Sequence, residues 1–184
     1  GGPYAGSDVR ATAERHHAVL STWCAGFPME LLVVDAGEFY DAVMAGSPPR
    51  YRCVLCKRFM LGLGSAVSRA RHFEALVTGD NIGQVASQTL ANMATISEAA
   101  TIPVFRPLIG FDKDEVVRIA RRIGTFDTGQ GDLGCRAVPR TPATGASRDD
   151  IREAEAAIGM EQLIADALER VTCIQALNGI LLPR

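Results

Sequence analysis

The cysteines supply the most chemically pointed spacing in this chain. Cys53-Val54-Leu55-Cys56 sets two thiols three residues apart, so that both sulfurs reach one metal ion or each other. Five cysteines in all, an odd number, argue against a disulfide framework and for metal, redox, nucleophile or plain packing roles. Cys24 and Cys173 stand singly among apolar or helical residues and read as packed thiols. Lys57 and Arg58 follow the pair in the first turns of a helix, where cations oppose the helix dipole. A nearby anion offsets that cost; the bland alternative is two solvated side chains.

A second stretch with chemical content is Glu74 to Asn92, EALVTGDNIGQVASQTLAN. Ala75 to Val77 is a short apolar run, Thr78-Gly79-Asp80-Asn81 breaks it, and a helix follows with Val85, Leu90 and Met93 on its apolar side. Strand, glycine turn and helix in that order put backbone N–H groups at a ligand crevice, which suits a polar, phosphate-bearing ligand. The alternative is that Gly79 and Gly83 only permit a tight turn.

These groups need elements to hold them. Asp8 opens a helix from Val9 to about Cys24, and Met29 to Val34 is a continuous apolar run of strand length that suits a parallel sheet covered on both faces. Residues 38 to 46 read as a short helix, and Val54 to Arg71 as a long one. Ile102 to Phe105 is a further strand. Asp112 and Glu115 form a capping-box pattern for a helix that Gly124 stops. Residues 128 to 147 form a loop containing Cys135, and the tail from Asp149 to about Leu177 reads as helical. Strand and helix alternate from Met29 to Ile123, which argues for an α/β fold with a doubly wound parallel sheet.

Only three strands are counted, 29–34, 75–77 and 102–105, where such sheets usually hold about five. The chain is therefore expected to be the later part of a larger nucleotide-binding domain. Its 184 residues, 47% of them hydrophobic, suffice for one core or for part of a larger protein. A net charge of −2 lacks the basic footprint of a stand-alone nucleic-acid binder, so any RNA contact needs a local patch or another domain. No apolar run of about 18 residues and no signal-like start are visible, which points to the cytoplasm and away from membranes.

Val77-Thr78-Gly79-Asp80-Asn81-Ile82-Gly83-Gln84-Val85-Ala86-Ser87-Gln88-Thr89, then Arg106-Pro107-Leu108-Ile109-Gly110-Phe111-Asp112-Lys113-Asp114-Glu115, then Ile123-Gly124-Thr125, resemble the tRNA 4-thiouridine synthase (thiamine-biosynthesis sulfurtransferase) family, in the form of its archaeal members. The resemblance covers roughly residues 50 to 140. It implies an adenine-nucleotide alpha-hydrolase-like (PP-loop) fold, lacking its first strands here, that adenylates a tRNA uridine and replaces the activated oxygen with sulfur. It also implies that the family's phosphate loop and RNA-binding N-terminal region are absent, that ATP enters with Mg2+, and that the isolated fragment is inactive. By the same resemblance Lys57, Thr78, Gly79 and Gln88 line the ATP site, Lys113 stabilises charge on the departing pyrophosphate, and Cys135 is the catalytic cysteine. The implied division is 1–132 for the partial PP-loop domain and 133–184 for the cysteine-bearing loop and tail.

Cys53, Cys56 and Cys135 together resemble the three thiolates of members that hold an iron–sulfur cluster with one iron left open. Zinc is the rival and needs a fourth ligand from Cys24 or His72. The implied partners are tRNA, a sulfur donor (sulfide or a cysteine desulfurase persulfide) and a second copy in a homodimer. Two alternatives stand beside this reading: a non-catalytic, metal-stabilised module that binds a nucleotide or partner, and a PP-loop thiolase for another tRNA base.

Overall fold

The computed structural model describes residues 3–24, 26–126 and 131–183. Gly1, Gly2 and residues 128–130 of the anticipated loop lie outside them. In chain order the elements are α1 (Val9–Ser21), β1 (Met29–Val33), α2 (Gly37–Gly46), α3 (Arg52–Arg71), β2 (Leu76–Val77), α4 (Leu90–Ser97), β3 (Val104–Phe105), α5 (Lys113–Ile123), α6 (Arg148–Ile158), α7 (Met160–Glu169), β4 (Thr172–Leu177) and β5 (Ile180–Leu181). They form two compact units. The first comprises Gly1–Gly37, Asp112–Arg136 and Arg170–Arg184, and the second Glu38–Phe111 and Ala137–Glu169.

The second unit is built on α3. Pro48 and Pro49 cannot continue a helix from α2, and a 3-10 turn over Pro49–Tyr51 leads directly into α3. Val54, Leu55 and Phe59 are buried on it, and Phe59 stacks on Phe39 of α2 with ring centroids 4.2 Å apart. Each such side chain contributes about 2 kcal/mol of burial free energy. At Gly62 α3 and α7 approach closely: a Cβ there would lie 2.6 Å from Ile164 Cδ1 of α7, so the tip of that side chain would have to turn away. Beyond α3, β2 and β3 pair in parallel with Leu76 opposite Val104 and Val77 opposite Phe105. Both strands therefore end at the same edge.

Arg58 is buried, not solvated. Its guanidinium takes both carboxylate oxygens of Glu155 on α6, at 2.6 and 2.7 Å, and donates to the Thr95 carbonyl. That bidentate pair joins α3, α4 and α6.

In the first unit β1 does not enter the parallel sheet. It pairs antiparallel with β4, Met29 opposite Ala176 and Val33 opposite Thr172, and β4 pairs antiparallel with β5. No β1 residue is fully buried, so its apolar run serves a half-covered antiparallel sheet. The tail also departs from the helical reading, which holds through α6 and α7 but ends before β4. Asn178 (φ 49°) and Gly179 (φ 87°) make the two-residue turn that returns the chain into β5, and Asn-Gly is a strong hairpin signal. Gly179 N–H donates to Ser21 Oγ at 2.9 Å, fastening the hairpin to α1. α5 begins as anticipated: Asp112 accepts from Glu115 N–H, Glu115 accepts from Asp112 N–H, and Gly124 closes the helix at φ 84°.

Candidate functional site

The site grows from the shared edge of β2 and β3 in the second unit. Thr78 N–H still donates to the Phe105 carbonyl at 3.0 Å, and the chain then leaves the sheet through Gly79, Asp80 and Asn81. Asn81 is buried and donates its amide to the carbonyls of Leu108 and Phe111, closing the loop after β3 around the turn after β2. Gly83 takes φ 77°, a conformation that favours glycine. A 3-10 turn over Ala86–Gln88 follows, and Thr89 caps α4 by accepting from Asn92 N–H.

A cavity of about 390 Å³ opens beside this turn, lined by Lys57, Met60, Leu76, Thr78, Gly79, Asp80, Gln88 and Ile96 among others. Its floor is apolar and its polar groups converge from α3, the glycine turn and the 3-10 turn, the usual composition of a small-molecule site. Lys57, Thr78, Gly79 and Gln88 all line this one space, and they are four of the residues implicated by the sequence. Gln88 Oε1 is buried without a hydrogen-bond partner. A Cβ added at Gly79 would meet nothing within 4 Å, and the residue does not take a positive φ, so neither crowding nor conformation within the chain demands glycine there.

Asp80 is the electrostatic centre. It accepts from Lys57 Nζ at 2.5 Å through Oδ1, and from Thr78 Oγ1 at 2.8 Å and Arg106 Nε at 3.3 Å through Oδ2. Burial pushes its carboxyl towards the neutral form, but the hydrogen bonds of Lys57 and Thr78, the Lys57 charge and the Arg106 bond together hold it below its usual range.

Sequence reasoning assigned no role to Asp80, Arg106 or Asn92. The parallel register brings Asp80 and Arg106, each just past the end of its strand, to the same edge. Asn92, fully buried, bonds the Ala86 and Ala143 carbonyls and accepts from Ala146 N–H, pinning the turn that carries Gln88. The helix itself is shorter than anticipated, and its buried face is Asn92, Thr95 and Ile96. Val85 and Leu90, read as its apolar side, are exposed: Val85 precedes the 3-10 turn, outside the helix, and Leu90 is the first residue of α4, off its buried face.

The other implicated residues sit elsewhere in the chain. Cys53 and Cys56 lie half-buried in the first turns of α3, with Cys56 Sγ 3.6 Å from Tyr40 Oη. Lys113 is the first residue of α5 and is exposed, in the first unit. Cys135, also in the first unit, is exposed on a loop held by an antiparallel bridge to Ala5 and by Arg136 N–H donating to the Tyr4 carbonyl at 2.8 Å. Among the described residues no group of three or more His, Cys, Asp or Glu side chains is gathered to hold a metal, and no helix is long and apolar enough to cross a membrane.

The chain is similar to a probable tRNA sulfurtransferase of Thermus thermophilus, 43% identical over 144 residues that cover 77% of this chain and 36% of the relative. It is 34% identical to a probable tRNA sulfurtransferase of Methanothermobacter thermautotrophicus over 91% of this chain and 43% of that relative. The chain thus spans less than half the length of these relatives. A solved 4-thiouridine synthetase in complex with RNA and bound ATP superposes with a TM-score of 0.88 at 29% identity, over 95% of this chain and 46% of that one. The family model described as thiamine biosynthesis protein (ThiI) matches residues 2–160, a span that takes in the glycine turn, the cavity and all three implicated cysteines, and the chain belongs to that family.

Proposed function

We propose that this chain is the nucleotide-binding and sulfur-transfer part of an ATP-dependent tRNA sulfurtransferase that makes 4-thiouridine. The observation that carries the reading is the cavity at the end of β2, with Lys57, Thr78, Gly79 and Gln88 on its wall and Gln88 Oε1 buried without a donor. A buried acceptor left unpaired costs about 1–3 kcal/mol, which a ligand N–H such as the adenine amine recovers. Support comes from the solved relative, a 4-thiouridine synthetase that binds RNA and ATP.

The chemistry follows from these residues. ATP enters with Mg2+; the apolar floor takes the base, Gln88 fixes it, and the bare backbone of Gly79 and the Lys57 ammonium meet the sugar-phosphate. The uridine O4 bonds to the α-phosphorus as the α–β bridge breaks, and Lys113 offers positive charge to the departing pyrophosphate. A sulfur nucleophile then attacks C4, AMP leaves with the oxygen, and the base holds sulfur instead. On the persulfide route Cys135, whose exposure suits exchange with a donor, takes the outer sulfur of a desulfurase persulfide as that donor's cysteine leaves as a thiol. Once this sulfur has attacked C4, a second thiol breaks its bond to Cys135 and is left in a disulfide with it, whereas on the sulfide route hydrosulfide attacks C4 directly. β2 and β3 belong on this reading to the doubly wound parallel sheet of a PP-loop domain working in the cytoplasm, with a homodimer as the assembly.

Cys53, Cys56 and Cys135 are the proposed thiolates of an iron–sulfur cluster, with zinc as the rival. Two sulfurs at helical spacing on α3 have suitable donor chemistry. Iron content and visible absorption after anaerobic purification decide it, since a colourless, zinc-loaded protein removes the cluster.

The activity itself is tested in a strain lacking the gene. Its tRNA nucleosides should lose 4-thiouridine by mass spectrometry, and a Cys135→Ser gene should fail to restore it. Persistence of 4-thiouridine with loss of another thionucleoside would assign the enzyme to a different base, and unchanged nucleosides would overturn the enzyme reading.

A further inference from the structure

Three groups converge on the Asp80 carboxylate, and two of them are cations. Lys57 Nζ sits 2.5 Å from Oδ1, while Arg106 Nε is 3.3 Å from Oδ2. All three charged side chains are largely withdrawn from solvent, exposing 23% for Lys57, 11% for Asp80 and 16% for Arg106. Lys57 and Asp80 line the cavity; Arg106 is not among its lining residues. The second arm of Arg106 donates to Ser97 Oγ at 2.9 Å, and that hydroxyl is itself bonded to the Met93 carbonyl of α4. Arg106 is therefore clamped behind the carboxylate, between β3 and α4.

Lys57 and Asp80 alone would form a neutral pair, and the carboxylate would repel an incoming polyanion while occupying the Lys57 ammonium, the cation that the described residues place on the wall. With Arg106 behind Asp80, the carboxylate is balanced from outside and the trio carries a net positive charge. An arginine stays protonated under all ordinary conditions, so the balance is permanent. Lys57 still donates one N–H to Asp80, which fixes the direction of its ammonium, and keeps two for a ligand.

We propose that Arg106 is a positioning residue for nucleotide binding: by neutralising Asp80 from behind, it leaves Lys57 oriented and positively charged towards the phosphates without itself touching the nucleotide. The proposal rests on the ATP reading of the cavity. It differs from a purely structural role for Arg106 because its effect is confined to the ligand's charge.

The test compares ATP with adenosine, which shares the base and sugar and lacks the phosphates, by calorimetry on the intact protein. Arg106→Gln should weaken ATP on the order of tenfold and leave adenosine affinity unchanged. Arg106→Lys, which keeps the charge, should bind ATP within about threefold of the parent. The paired variant Arg106→Gln with Asp80→Asn removes the balanced charges together, and should also return ATP affinity to within about threefold of the parent. It serves on its own where Arg106→Gln fails to fold. Parental ATP affinity in Arg106→Gln, equal weakening of adenosine, or a tenfold loss that persists in the paired variant would overturn the proposal. A parent that binds neither ATP nor adenosine would sink the nucleotide site itself, a result distinct from all of these.

Discussion

Gly79 and Gly83 stand in one turn, and only Gly83 is a glycine for the sake of the fold. Gly83 sits at φ 77°, whereas Gly79 has an ordinary φ and open space where a Cβ would go. Gly79→Ala should therefore leave the urea midpoint unchanged or raise stability by about 0.5 kcal/mol, while ATP affinity falls on the order of tenfold through a methyl group placed in the cavity. Gly83→Ala should do the reverse at the level of the fold, costing about 1 kcal/mol. Equal losses of stability in the two variants would mean that Gly79 is structural. At this scale the sequence already singled out the turn and its neighbours Thr78 and Gln88. It could not separate the two glycines, because a φ angle and an empty volume are not written in residue type. Asp80 was in plain view inside the same turn; its weight depends on Arg106, 26 residues away, and no local pattern links them.

Among the elements, α3 is the one that unites packing and chemistry. Its first turns carry Cys53, Cys56 and Lys57, and the next residue, Arg58, is spent on Glu155 of α6. Arg58→Ala removes one partner of a largely buried pair and leaves the carboxylate without compensation. Urea unfolding should report a loss of about 3 kcal/mol, and replacing both Arg58 and Glu155 with methionine should recover most of it. A loss under 1 kcal/mol in the single variant would assign the pair to the surface class. The helices were largely readable from periodicity and caps: α3 and α5 appear where expected, α5 with its capping box intact. β1 and β4 were less so. An apolar run such as Met29 to Val33 tells that a strand is covered, but not whether its partner runs parallel, and β4 lies more than 130 residues away in sequence. The Asn178-Gly179 turn was the available signal for β4 and β5, and it outweighs the helical periodicity of the tail that precedes it.

For the whole molecule, the two units have different sources of stability. The second carries most of the large buried side chains, including Phe39, Leu55, Phe59 and Ile151. The first depends on pairing β1 with a segment from the far end of the chain. Ending the chain at Glu169 should therefore strip exchange protection from the amides of α1 and β1 while those of α3 keep theirs, as read by hydrogen exchange with mass spectrometry. Uniform loss across both units would mean that they unfold as one. By itself the sequence determined the α/β class, the strand–turn–helix around Gly79, the family, and a set of candidate residues, four of which line one cavity. Local order carries such information, since glycine turns, caps and residue spacing act over a few residues. The tertiary structure alone decided the antiparallel pairing of β1, the buried placement of Arg58, and the charge balance of Lys57, Asp80 and Arg106. Those depend on contacts between residues far apart in the chain, where burial and the sum of neighbouring charges, not residue type, set what a side chain does.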